Sequence, residues 1–130
     1  MRKSPISTPK APGAIGPYSQ GINAGALVFT SGQLPIRPDD GTIPGDVPEQ
    51  ARVALANVDA ILKAGGSSLA AAVKVTVFLT DIADFAAVNA VYKEAFAGAE
   101  PFPARSAVQV AALPKPEAKI EIEAIGMVQT

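Results

Sequence analysis

Asp46-Val47-Pro48-Glu49 opens and Gly65-Gly66 closes the stretch that decides the fold. Asp46 has the short carboxylate of an N-cap, proline follows in the first turn, and Glu49 stands three residues after the cap. Ala51, Ala54, Leu55, Val58, Ile61 and Leu62 then recur at helical spacing as one continuous apolar stripe. The paired glycines end the helix. A helix with one apolar stripe and a polar back needs a single partner surface. The residues on either side supply candidate strands for it.

Toward the C-terminus, Val73, Val75, Val77 and Leu79 alternate with Lys74, Thr76 and Phe78, which predicts a strand with one apolar face. Thr80 or Asp81 caps a second helix running to about Ala97 and stopped by Gly98. Phe85, Val88, Tyr92, Ala95 and Phe96 form its stripe, and Asn89 adjoins it as either a buried hydrogen-bonding group or a surface residue. Pro101-Phe102-Pro103 then delivers a stiff chain to Arg105, because each proline fixes its own φ and restricts the residue before it. Arg105, Ala107, Gln109 and Ala111 alternate with Ser106, Val108 and Val110. A guanidinium beside small alanines has open space in front, and its planar donors suit a carboxylate or phosphate. A strand-end arginine paired with a surface acid is the other reading. Leu113-Pro114-Lys115-Pro116 makes a turn, and Lys119–Ile125 makes the last strand. Ile120, Ile122 and Ala124 share one face of it, and Glu121, Glu123, Ile125 and Met127 the other.

Toward the N-terminus, residues 32–47 read as loop, punctuated by Pro35, Pro38, Gly41, Pro44 and Gly45. A short strand around Ser19–Ile22, a turn at Asn23-Ala24-Gly25 and a strand at Ala26–Ser31 make a hairpin. Residues 1–12 are a proline-punctuated lead-in. From Ala11 to Ile36 no residue is charged, yet prolines, glycines, Tyr18, Ser19, Gln20, Asn23 and Gln33 break the run too often for a membrane helix. Packed loops lining a site fit better. Tyr18 is either a site residue or a packed tyrosine. Met1-Arg2-Lys3 is basic, but no apolar run follows, so no signal peptide is expected.

The 130 residues suffice for one domain, 1–130, with one core. Net charge is −1, which argues against a nucleic-acid module. Cysteine and histidine are both absent. That removes disulfides, thiol nucleophiles, Cys/His metal sites and every triad that uses those residues. A cytoplasmic location is consistent with the lack of cysteine. Lys74 is a candidate amine for imine chemistry if desolvated, or the partner of an acid.

Two helices on one face of a mixed sheet give an α+β architecture. The other face would carry Lys74, Thr76, Phe78, Arg105, Gln109, Glu121, Glu123, Ile125 and Met127, with no layer left to cover it. Self-association is the economical solution, with a site combining Arg105 and acids where subunits meet. If the last two strands form a hairpin near Lys115, Arg105 lies opposite Ile125, roughly 13 Å from Glu121 along the strand. Either the strands pair differently or the site crosses subunits.

Several motifs in order resemble the reactive intermediate deaminase A (RidA, or YjgF) family over almost the whole chain. They are Ala11-Pro12-Gly13-Ala14-Ile15-Gly16-Pro17-Tyr18-Ser19-Gln20-Gly21, Phe29-Thr30-Ser31-Gly32-Gln33, Asn57-Val58, Lys74–Phe78, Asn89-Ala90-Val91-Tyr92, Phe102-Pro103-Ala104-Arg105-Ser106 and Ile120–Ala124. The resemblance implies a chorismate-mutase-like homotrimer with sites between subunits. It implies cofactor-independent hydrolysis of 2-imino acids, formed from enamines such as 2-aminoacrylate, to 2-keto acids and ammonia, with no metal. By position, Arg105 would bind the substrate carboxylate and Glu121 would hold or activate water. Tyr18, Ser31, Gly32 and Asn89 would line the pocket. Ala107 stands where many relatives have cysteine; its backbone can still contact a ligand. An imine is already electrophilic, so positioning a water supplies much of a modest acceleration. The rival functions are a non-catalytic trimer that binds small carboxylates, an RNA-acting protein and a purely structural trimer.

Overall fold

The computed structural model describes residues 2–129. Its strands are β1 (Lys3–Ile6), β2 (Gly21–Ala24), β3 (Leu27–Thr30), β4 (Ala72–Leu79), β5 (Ala104–Gln109) and β6 (Ile120–Met127). The helices are α1 (Val47–Ala64) and α2 (Phe85–Ala95), each accompanied by a single 3₁₀ turn at Leu69–Ala71 or Ile82–Asp84. One sheet contains all six strands in the order β1-β2-β3-β6-β4-β5. Every neighbouring pair is antiparallel except β4 and β5, which are parallel.

The order follows from two crossovers. The chain leaves β3, forms α1 and returns as β4, then leaves β4, forms α2 and returns as β5. Each connection moves in the same direction across the sheet. The right-handed preference of such crossovers therefore puts both helices on one face. A gap remains between β3 and β4, and β6 fills it antiparallel to both. The α+β architecture with two helices on one face agrees with the sequence reading. The last two strands do not form the hairpin considered as one pairing; they pair differently. β5 and β6 lie on opposite sides of β4, because a helical crossover is the connection that makes strands parallel.

That arrangement corrects the face assigned to Arg105. It pairs with Val75, which is fully buried under the helices, and paired residues of a parallel ladder point the same way. Arg105 and Gln109 thus lie on the helix side, not beside Lys74 and Glu121. Gln109 Oε1 accepts from the N–H of Ile82 at the start of the second helical segment, at 2.9 Å. Val73, expected on the apolar face, is exposed instead, because a register shift between Ala72 and Lys74 turns it outward. The N-terminal hairpin is displaced as well. β2 starts at Gly21 rather than near Ser19, and the turn is Gly25-Ala26, with Gly25 at a φ of 59° that only glycine adopts freely.

α1 begins as its sequence indicates: the Asp46 carboxylate accepts from Glu49 N–H at 3.2 Å. Ala51, Ala54, Leu55, Val58, Ile61 and Leu62 are buried against Val28, Val75, Val77, Ile120, Ile122 and Ala124 in one core. α2 is shorter than expected, since Asp81 caps the 3₁₀ turn rather than the helix. Its buried stripe includes Val91, and Ala95 is exposed. Three buried amides tie the loops to this frame. Gln20 Nε2 donates to the carbonyls of Thr8, Ala11 and Pro12. Gln50 bridges Pro44 and Glu117, and Asn57 holds Leu34 and Ile36. These bonds satisfy carbonyls of loop segments that have no helix or ladder to pair them. No helix among the described residues is long and apolar enough to cross a membrane.

Candidate active site

Arg105 lies on the edge strand β5, where α2 passes over it. Phe85, Asn89 and Tyr92 are spaced i, i+4 and i+7, so they form one row along the helix. The guanidinium carbon lies 4.6 Å from the centre of the Tyr92 ring and 5.3 Å from that of Phe85. Arg105 Nη1 donates to Asn89 Oδ1 at 2.6 Å. Asn89, Tyr92, Lys93, Phe102, Pro103 and Arg105 line a cavity of about 340 Å³. Phe102, held between its prolines, is 57% exposed at this cavity. Ala107 is two residues along the same face and packs partly against the core. Among the described residues no carboxylate pairs with Arg105 within 4.0 Å, so the surface ion pair is not its role here.

Glu121 occupies the opposite face. It pairs with Phe78 in the β4–β6 ladder, three residues from Val75 and hence roughly 10 Å along the strands from Arg105. Two inter-strand spacings separate them across the sheet, about 10 Å more, with the sheet itself between their side chains. Its carboxylate lies over Gly32. A Cβ at residue 32 would overlap Glu121 Oε2, so only glycine permits this approach. The Gln33 bridge to Ile122 aligns the segment with β6. Ser31 Oγ donates to the carbonyl of Ser19 at 2.6 Å, which brings the Tyr18 segment alongside. Tyr18 is largely exposed and lines a second cavity with Pro5–Pro9, Gly13, Ala14, Ser19 and Gln20. Partial burial raises the Glu121 pKa above the ordinary carboxylate value, and the nearby charge of Glu123 raises it further.

The expected site residues therefore fall into two sets. Arg105, Asn89 and Ala107 belong to one, on the helix side. Ser31, Gly32 and Glu121 belong to the other, on the open face, while Tyr18 lines the separate cavity beside residues 5–9 and is linked to that set only through the Ser31–Ser19 bond. Within one chain the sets do not meet. Lys74 belongs to neither: its Nζ donates to Ser106 Oγ at 2.8 Å, so it is not paired with an acid. The sequence reading missed the role of Phe85 and Tyr92 as the floor under Arg105. Their spacing with Asn89 was the available signal.

Known proteins share this arrangement of elements. The family described as Endoribonuclease L-PSP matches residues 8–128. A 2-iminobutanoate/2-iminopropanoate deaminase of Escherichia coli K12 is 52% identical over 94% of this chain and 95% of its own length. E. coli TdcF, solved with bound serine, superposes with a TM-score of 0.91 at 54% identity, covering 95% of this chain and 98% of TdcF. Yeast Mmf1 superposes with a TM-score of 0.92 at 41% identity, covering 98% and 100%. The motifs quoted from the sequence thus sit on the same fold, in the same order and over nearly the full length, and the chain belongs to the Endoribonuclease L-PSP family, that of the RidA/YjgF deaminases.

Proposed function

We propose that this chain hydrolyses 2-imino acids to 2-keto acids and ammonia in a homotrimer, at sites completed between copies. The observation that carries the reading is the separation of Arg105 from Glu121. Each half-set is incomplete alone, and β5 presents Arg105 at a free sheet edge. A neighbouring copy that lays its open face against this edge would bring its own Glu121 and Tyr18 to the Arg105 cavity. The open face is suited to such contact: Phe29, Val108 and Met127 are exposed on it, beside half-buried Phe78 and Ile125.

The chemistry needs little from the protein. Arg105 grips the substrate carboxylate and fixes the C=N carbon toward the neighbouring carboxylate. Glu121 accepts a proton from water as its oxygen bonds to that carbon, and the imine nitrogen takes up a proton. Glu121 returns its proton to the carbinolamine nitrogen, which leaves as ammonia while the hydroxyl releases its proton to solvent, replacing the one the imine took up, and the C=O bond forms. Imine plus water becomes keto acid plus ammonia, with no change in oxidation state. The deaminase name of the E. coli relative supports this substrate class. The family description also raises RNA cleavage. A net charge of −1 and the absence of histidine disfavour that reading.

Co-assembly tests the proposal. Arg105→Lys and Glu121→Gln chains, each impaired alone in ammonia release from freshly generated 2-iminobutanoate, should regain part of the activity when refolded together. A mixed trimer contains some sites with both native residues. A mixture no more active than its components would overturn the inter-subunit site.

A further inference from the structure

We propose that Tyr92 is a positioning residue for Arg105, its ring serving as the neutral floor that aims the guanidinium at the substrate carboxylate; this rests on the imine-hydrolysis reading. The Tyr92 ring meets two neighbours: the buried Phe96 ring, whose centre is 4.4 Å away at a tilt of 31°, and the Arg105 guanidinium carbon, 4.6 Å from the Tyr92 ring centre. Phe96 is buried to 1% exposure and Tyr92 to 6%, so the floor cannot move without disturbing the core. Asn89 Oδ1 holds the same guanidinium by its edge. One contact fixes the plane and the other fixes the rotation within it.

The chemical point is that nothing in this cradle carries a negative charge. An acid beside Arg105 would hold it equally well but would compete with the substrate carboxylate for its donors. An aromatic face attracts the cation through its quadrupole without occupying those donors. Asn89 engages one N–H, and a guanidinium offers five. The Tyr92 hydroxyl explains nothing in this arrangement. It is buried without a hydrogen-bond partner among the described residues, and burial raises its pKa while Arg105 only partly offsets that. The ring is therefore the useful part.

The experiment compares Tyr92→Leu and Tyr92→Phe in the assembled protein. Readouts are kcat and KM for 2-iminobutanoate, and the ¹⁵N–¹H resonance of the Arg105 Nε–H group. Tyr92→Leu should raise KM about five- to tenfold with kcat within about twofold, as expected for the loss of a cation–π contact. Tyr92→Phe, which restores the face, should restore KM. The Arg105 proton should be shifted upfield by the ring current in wild type and Tyr92→Phe, and move downfield in Tyr92→Leu. If Tyr92→Leu does not fold, Asn89→Ala takes its place, with a raised KM and the same sparing of kcat. A wild-type KM in Tyr92→Leu, or a Tyr92→Phe protein as impaired as Tyr92→Leu, overturns the inference. A wild type that releases no ammonia overturns the imine reading instead. The arginine resonance then decides the inference alone: if it does not move in Tyr92→Leu, the floor does not exist.

Discussion

On the helix side of β4 and β6, Val75, Val77, Ile120 and Ile122 are at most 2% exposed. On the other side of the same two strands, Thr76, Phe78, Glu121 and Glu123 are only half covered. Alternation along a strand supplies both sets equally. What separates them is that α1 and α2 close one face while no segment of the chain closes the other. The closed face holds the fold together. The open face combines apolar side chains with two carboxylates, which makes a poor solvent surface and a reasonable contact surface. Arg105 breaks the division: it points to the helix side, but on an edge strand where its surroundings are aromatic floor and open cavity.

The same substitution placed on each face tests this contrast most severely. Ile122→Asp puts an unpaired charge into the closed core. The penalty is several kcal/mol after relaxation, comparable with the whole stability of a typical domain. No cooperative thermal transition should remain in circular dichroism. Ile125→Asp, three residues along the same strand, faces the open side. That variant should keep its transition but sediment as a monomer at micromolar concentration, whereas wild type should sediment as a trimer. If Ile125→Asp remains trimeric, the open face is not the contact surface. If wild type is monomeric, the inter-subunit site falls with it.

Most of the closed face was legible before any coordinates. The Asp46 cap, the α1 stripe and the alternations in β4 and β6 each depend on local periodicity, and each appears where it was expected except at Val73, which the register shift turns outward. The placement of Arg105 was not legible, because it depends on the pairing partner of β5. A hairpin through Lys115 and a crossover through α2 are both compatible with the local pattern. They put Arg105 on opposite faces. The strand–helix–strand order around α2 carried the answer, through the rule that crossovers make parallel pairs. Gly32 was legible as a motif residue, but not its reason. The close approach of Glu121 is a contact between residues 89 positions apart, and no periodicity encodes it. The floor under Arg105 lay between these cases. Phe85 and Tyr92 were visible in the α2 stripe with Asn89 adjoining it, yet nothing local said what they support.

Arg105→Lys gives the next largest effect, and it acts at the edge where the two faces meet. Lysine keeps the charge but lacks the planar fork, so one of two parallel bonds to a carboxylate is lost. A charge-assisted hydrogen bond is worth roughly 1.5–3 kcal/mol, which corresponds to about ten- to a hundredfold in kcat/KM. Thermal stability should change little, because Arg105 is exposed and lies outside the core. Binding of 2-oxobutanoate, followed by calorimetry, should weaken in parallel. Full activity in Arg105→Lys would show that charge alone, and not the fork, is used.

The smallest effect sharpens the contrast between carboxylates on the open face. Glu121 has a folded-state pKa raised above its ordinary value of 4.5, first by burial and then by Glu123. Below the ordinary value the group is protonated in both folded and unfolded chains and costs nothing. As pH rises from 4.5 through the raised value, the unfolded chain ionises more readily than the folded one, so stability falls across that window. Above it the penalty is fully present. Glu121→Gln removes the ionisation, so its melting temperature should exceed that of wild type at neutral pH and converge on it below pH 4.5. Because the group is only partly buried, solvent screening keeps the gain small. Turnover should move the other way. Glutamine keeps the shape and the hydrogen bonding but accepts a proton far less readily, so kcat should fall while 2-oxobutanoate binding survives. In wild type the acid limb of kcat/KM should lie above pH 4.5, since only ionised Glu121 can take the proton from water. That limb should disappear in Glu121→Gln. If the variant is stabilised as described yet keeps both its turnover and its acid limb, Glu121 bears the cost of its position without activating water, and Glu123 becomes the candidate base.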